Sequence, residues 1–228
     1  MATDRQSATS TGQQTGQYRP PDGRTATQRL ASHPVTGFIP WIAFWVIGGQ
    51  ATWETGTLAA LLAAILVTML STGYRPPLAW SHLKLLDIAT VVFFALLSLA
   101  ALVTTRHTVS DLDKYSQAIS SGALGIIALG SIVFRHPFTV DYAKEKAPPA
   151  VWATTLFKRI NRVLSSVWAA VFLICALLGL AAQQSMATGL RDWLNWYIPI
   201  GLIFLAFRFT RWYPERARAH QGQAAGHA

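Results

Sequence analysis

The chain has 228 residues, of which 52% are hydrophobic and only 13% charged, with a net charge of +9 and a mean hydropathy of +0.32. A soluble domain carries nearly twice that charged fraction, so the composition indicates a membrane-embedded chain whose cations meet lipid rather than nucleic acid. The single cysteine, Cys175, excludes an intrachain disulfide framework, a Cys-rich zinc site and a C-x-x-C redox motif.

Residues 1–33 are rich in Thr, Gln, Ser, Gly and Arg and lack periodic apolar content, which predicts a disordered tail rather than a secretory signal peptide. Crossing about 30 Å of hydrocarbon takes roughly 20 apolar residues at 1.5 Å each. Six runs meet that need: 34–53, 55–74, 85–105, 115–134, 163–182 and 193–212. The last reaches full length only if Arg208 snorkels to the headgroups. Backbone polar groups at membrane depth must bond internally, and none of the runs alternates like a barrel strand, so the expected fold is an all-α polytopic bundle. Residues 34–213 form this domain, residues 135–162 are its longest loop, and 214–228 read as a polar, basic tail.

Counting Lys and Arg on each side gives orientation. Sixteen fall on one side: Arg5, Arg19, Arg24, Arg29, Arg75, Lys84, Arg135, Lys144, Lys146, Lys158, Arg159, Arg162, Arg208, Arg211, Arg216 and Arg218. Only Arg106, Lys114 and Arg191 fall on the other, which predicts both termini in the cytoplasm. Three helical hairpins are legible, each second helix ending in an aromatic, a cation and a proline, as in Phe134-Arg135-His136-Pro137. Either a repeat or the ordinary chemistry of helices leaving a cytoplasmic face accounts for that pattern.

Asp87, in the first turn of the third run, is a candidate intramembrane polar site, and Asn161 holds the matching place in the fifth. The competing reading of Asp87 is a helix N-cap paired with Lys84. His33, His82 and His136 lie at helix boundaries and lack metal-ligand spacing; none of the six histidines sits in mid-bundle to bind haem. Without a nucleophile elbow or a phosphate loop, no catalytic, cofactor-binding or metal residue is predicted. Small faces at Ala118, Ser121, Gly122 and Gly125, and at Gly56, Ala60, Ala63 and Ala64, predict close helix approach within the chain or in a homo-oligomer. Phe38, Trp41 and Trp45 form an aromatic stripe that would face lipid or stack a lipophilic ligand such as a quinone, and Pro40 and Pro199 predict kinks.

The 135–162 loop interleaves Phe138, Tyr142 and Trp152 with Lys144, Lys146, Lys158 and Arg159, which predicts docking to anionic headgroups or to a membrane protein partner. Pro137, Phe138, Thr139, Tyr142, Ala143, Trp152 and Asn161 together resemble a Pro-Phe-Thr-x-x-Tyr-Ala segment found in uncharacterised bacterial six-helix membrane proteins. The resemblance covers about thirty residues and implies a bacterial inner membrane without implying an activity. The expected function is a non-catalytic scaffold or accessory subunit, with a small transporter or channel as the alternative.

Overall fold

A computed structural model describes residues 35–48, 53–72, 84–103, 112–185 and 187–225, and all regular structure among them is helical. The 1–33 tail, His33 and His82 lie outside the described residues. A 3₁₀ turn, Thr36–Phe38, leads into α1 (Ile39–Gly48), followed by α2 (Trp53–Thr72), α3 (Leu85–Val103), α4 (Ser116–Val133), the short α5 (Thr139–Lys144) and α6 (Thr155–Gln184). The short α7 (Thr188–Asp192) and a π-helical turn at Trp193–Tyr197 precede α8 (Ile198–Ala225).

Four helices, α2, α3, α4 and α6, are long and apolar enough to cross a membrane, and they mark the chain as membrane-embedded. Their outward faces carry the largest side chains. On α2, Leu58, Leu62, Leu66 and Met69 form one exposed ridge, while Gly56, Ala60, Ala64 and Val67 on the opposite face are buried. A ridge of that kind needs lipid, since water would leave a large apolar patch unsatisfied.

The first and sixth runs fall short of that standard. The 3₁₀ turn and α1 together rise about 21 Å, two-thirds of a hydrocarbon core. In α8 the apolar stretch gives way to cations at Arg208 and Arg211. The stretch from residue 214, expected as a polar, basic tail, continues α8 through Pro214 to Ala225. Proline removes one backbone donor but does not bar a helix whose other bonds persist. Pro40 occupies the first turn of α1, where a missing N–H has little consequence, and Pro199 likewise lies in the first turn of α8, two residues past the π-helical turn.

Helix α1 joins the two halves of the bundle. Phe38 stacks on Trp168 of α6 at 5.4 Å. Trp41 stacks on Phe93 at 5.0 Å and donates its indole N–H to Thr90. Trp45 donates to Ser120 of α4 at 2.8 Å. The aromatic stripe is therefore an internal wedge rather than a lipid-facing surface.

The three-hairpin arrangement is corrected in its middle member. Helix α3 packs on α2, α4 packs extensively on α6, and α3 and α4 touch only slightly. The small face of α4 explains this. A Cβ at Gly125 would lie 2.7 Å from Leu173 of α6, so glycine permits a backbone approach that any larger residue would block. The buried residues Ala118, Ser121 and Gly125 on α4, and Gly56, Ala60 and Ala64 on α2, are thus used inside the chain.

Candidate functional site

The segment joining α4 to α6 folds into a clasp over one end of the bundle. It begins where α4 stops. The His136 N–H bonds the Ser131 carbonyl and the Arg135 N–H bonds that of Ile132, with Arg135 left-handed at φ 59°. This pair of bonds is the Schellman ending usually built on glycine. Pro137 then redirects the chain, and the Phe138 N–H donates to the Ser131 hydroxyl at 3.1 Å. The Thr139 hydroxyl donates to the Asn161 carbonyl and meets the Ser165 hydroxyl, both at 3.0 Å.

Beyond the clasp, α6 starts eight residues earlier than the fifth run predicts. Thr154 caps it by accepting from the Phe157 N–H at 3.3 Å. Its first turns bury Ile160, Asn161, Leu164 and Ser165 while exposing Lys158, Arg159 and Arg162.

A charged cluster sits beneath α5. Lys84 is 6% exposed, pairs with Glu145 at 3.1 Å and lies over the Tyr142 ring at 4.3 Å. Asp87, also 6% exposed, accepts from the Ser71 hydroxyl at 3.4 Å and lies within electrostatic range of Lys84, Asp141 and Glu145. The cap expected of Asp87 is supplied instead by Asp141 of α5, which accepts the Leu85 N–H at 3.1 Å and holds His136 at 2.9 Å. Burial pushes the Tyr142 hydroxyl well above its ordinary range, and the neighbouring carboxylates of Asp87, Asp141 and Glu145 push it further. Tyr142 therefore stays neutral and contributes a ring face to Lys84.

The predicted docking residues divide accordingly. Phe138 and Tyr142, expected at the headgroup layer, are 4% and 7% exposed within the core. Their burial results from the clasp, which turns both rings inward against the bundle. Trp152 is half-buried, donates to the Ala147 carbonyl at 3.0 Å and carries Lys144 over its ring at 5.4 Å. Lys146, Lys158 and Arg159 remain exposed. Asn161 bonds the Phe157 carbonyl, and no hydrogen bond among the described residues joins it to Asp87.

Asp141, Thr139 and Ser131 escape sequence reasoning because each acts on a partner distant in the chain or across a turn. Pro137 with Phe138-Thr139 is the local signal that a capped structure begins there. Among the described residues no three His, Cys, Asp or Glu side chains are grouped to hold a metal, and the clasp pairs charge rather than setting a nucleophile against a base. No family model, curated protein or solved structure matches the chain. Its function must therefore be argued from these residues.

Proposed function

We propose that this chain is a non-catalytic scaffold or accessory subunit of a membrane complex. The observation that supports it is the close aromatic packing between α1 and α3: Trp41, Phe44, Phe93 and Phe94 meet ring to ring, with Trp41 and Phe94 fully buried. Trp41 is tied to Thr90, Trp45 to Ser120 and Trp168 to Thr210, and Ser98 on α3 is buried with no partner among the described residues. A conduit needs unpaired polar groups beside a continuous space. The interior offers a rigid frame instead.

The frame is read as six crossings in a bacterial inner membrane with both termini cytoplasmic, on the strength of the sixteen-to-three cation bias and the local resemblance. The clasp would then lie at the cytoplasmic surface, with Lys146, Lys158, Arg159 and Arg162 facing anionic headgroups. Cysteines replacing Glu54 or Asp113 should react from outside and one replacing Lys144 should not; external labelling of Lys144 would overturn the topology.

A small transporter is the second reading, supported by Asp87, Thr90 and Ser98 on the buried face of α3. Flux separates the two. Proteoliposomes holding the wild-type chain should pass no more protons or solute than empty vesicles, and flux abolished by Asp87→Asn would overturn the scaffold. Mild extraction from native membranes should yield an assembly larger than a lipid-bound monomer; a monomer would also overturn it.

A further inference from the structure

At the end of the bundle opposite the clasp lies a cavity of about 240 Å³ between the ends of α1 and α6 and the starts of α2, α4 and α8. It is long rather than round. Phe172, Cys175 and Gln183 of α6 all border it, so it follows that helix for about 16 Å at 1.5 Å per residue. An apolar cavity of about 150 Å³ already takes up benzene, and the volume here is ample for a stretch of hydrocarbon.

The two ends of the cavity differ in chemistry. In its depth the walls are Phe44, Phe172, Cys175 and Ile203. At its mouth stand Asp113 and Lys114, just before α4, and Arg191 of α7, all three exposed. By the cation count this side of the bundle carries only Arg106, Lys114 and Arg191, and two of those three border the one cavity. Among the described residues no ion pair joins Asp113 to either cation. Arg191 makes one long bond, 3.4 Å, to Gln183, which leaves most of its five N–H donors for something else. The cavity also opens sideways: Trp196 and Ile200 border it and are 45% and 59% exposed on the apolar surface. An occupant can thus enter from the lipid with its polar end at the mouth.

These features select the occupant. A long apolar cleft with a lateral opening suits an acyl chain, and a mouth with charges of both signs suits a headgroup with both. A fatty acid or an anionic phospholipid would satisfy the cations but oppose Asp113. We propose that the cavity seats one acyl chain of a zwitterionic phospholipid of the phosphatidylethanolamine type, its phosphate between Lys114 and Arg191 and its primary ammonium against Asp113. Guanidinium and ammonium groups are the usual phosphate partners, and a primary ammonium brings N–H donors to a carboxylate that the quaternary ammonium of a choline headgroup lacks. The proposal goes beyond the scaffold reading and depends neither on it nor on which side of the membrane the mouth faces.

The test uses the full chain in nanodiscs made of equal parts palmitoyl-oleoyl phosphatidylethanolamine, phosphatidylcholine and phosphatidylglycerol, released and weighed by native mass spectrometry at rising collision energy. The last lipid retained should be one phosphatidylethanolamine per chain, enriched at least about fivefold over the other two, the upper worth of one exposed ion pair. Arg191→Gln should lower that retention by about fivefold. Asp113→Asn should shift the preference toward phosphatidylglycerol. Cys175→Phe should fill the depth of the cavity and remove the retained lipid, whereas Lys146→Gln at the opposite end should change nothing. Each variant is first checked for wild-type helicity and monodispersity, and Ile203→Trp replaces Cys175→Phe if that variant fails. Equal retention of the three lipids, no lipid retained, an unchanged preference in Asp113→Asn, or indifference to the cavity-filling variant would each overturn the proposal.

Discussion

The clasp end of the bundle and the opposite end, where Phe44, Trp45 and Trp53 line a cavity, differ in how they hold buried charge. Around α5, Lys84 meets Glu145 and the Tyr142 ring, Asp87 meets Ser71, and Asp141 meets both Leu85 and His136. Beside the cavity, Trp53, Gln117 and Asn195 each hold a buried polar atom with no partner among the described residues, as Tyr142 and Asn161 do at the clasp. Polar groups that answer one another fix a fold, and at the clasp those that do so are the charged ones. Buried charge is thus paired within the clasp, while neutral polar groups are left unpaired at both ends.

The sharpest way to break this contrast is Lys84→Met. It removes the cation shared by Glu145 and Asp87 and leaves buried carboxylate charge, so thermal unfolding in mild detergent should show a loss of about 3–5 kcal/mol. A smaller effect is expected of Ser131→Ala, which strips the acceptor from the buried Phe138 N–H. That loss should be about 1–3 kcal/mol, with faster amide exchange confined to the clasp. Trp53→Phe is the opposing control at the cavity: relief of an unpaired N–H offsets the lost ring volume, and stability should stay within about 1 kcal/mol of wild type. A large loss at Trp53 would mean that its N–H has a partner after all.

The smallest effect is a slope. Burial, and then the Glu54 carboxylate, raise the Asp113 carboxyl above its ordinary value of 3.8. The folded chain therefore holds that proton more tightly than the unfolded chain does. Stability from this group falls as pH climbs from 3.8 through the folded value, and Asp113→Asn should flatten melting temperature against pH over that window.

The long helices were legible in the sequence because lipid demands uninterrupted apolar runs, and α2, α3 and α4 follow their predicted spans closely. Charge concealed the rest. Lys158, Arg159 and Arg162 hid the first two turns of α6, although only one face of those turns is charged, and Thr154 offered a cap signal. Pro214 similarly masked the extension of α8. At the clasp, aromatic and basic residues were visible, but composition does not tell a ring that faces headgroups from one turned inward. The burial of Phe138 and Tyr142 is set by bonds that Ser131, Thr139 and Asp141 make across the fold. The cavity was less legible still, since its residues come from stretches more than a hundred positions apart.

The bond from Leu85 to Asp141 spans 56 positions of chain. During synthesis at about 5–20 residues per second, the beginning of α3 leaves the ribosome several seconds before its own cap exists. Through that interval the opening turn of α3, with the carboxylate of Asp87 on it, must rely on water, lipid headgroups or the insertion machinery for its bonds. Arrival of α5 removes that dependence and closes the end of the bundle in one step. Nascent chains halted before residue 141 has emerged from the ribosome should consequently hold α3 in a looser state than chains halted after it has emerged, making the clasp a late checkpoint on membrane insertion.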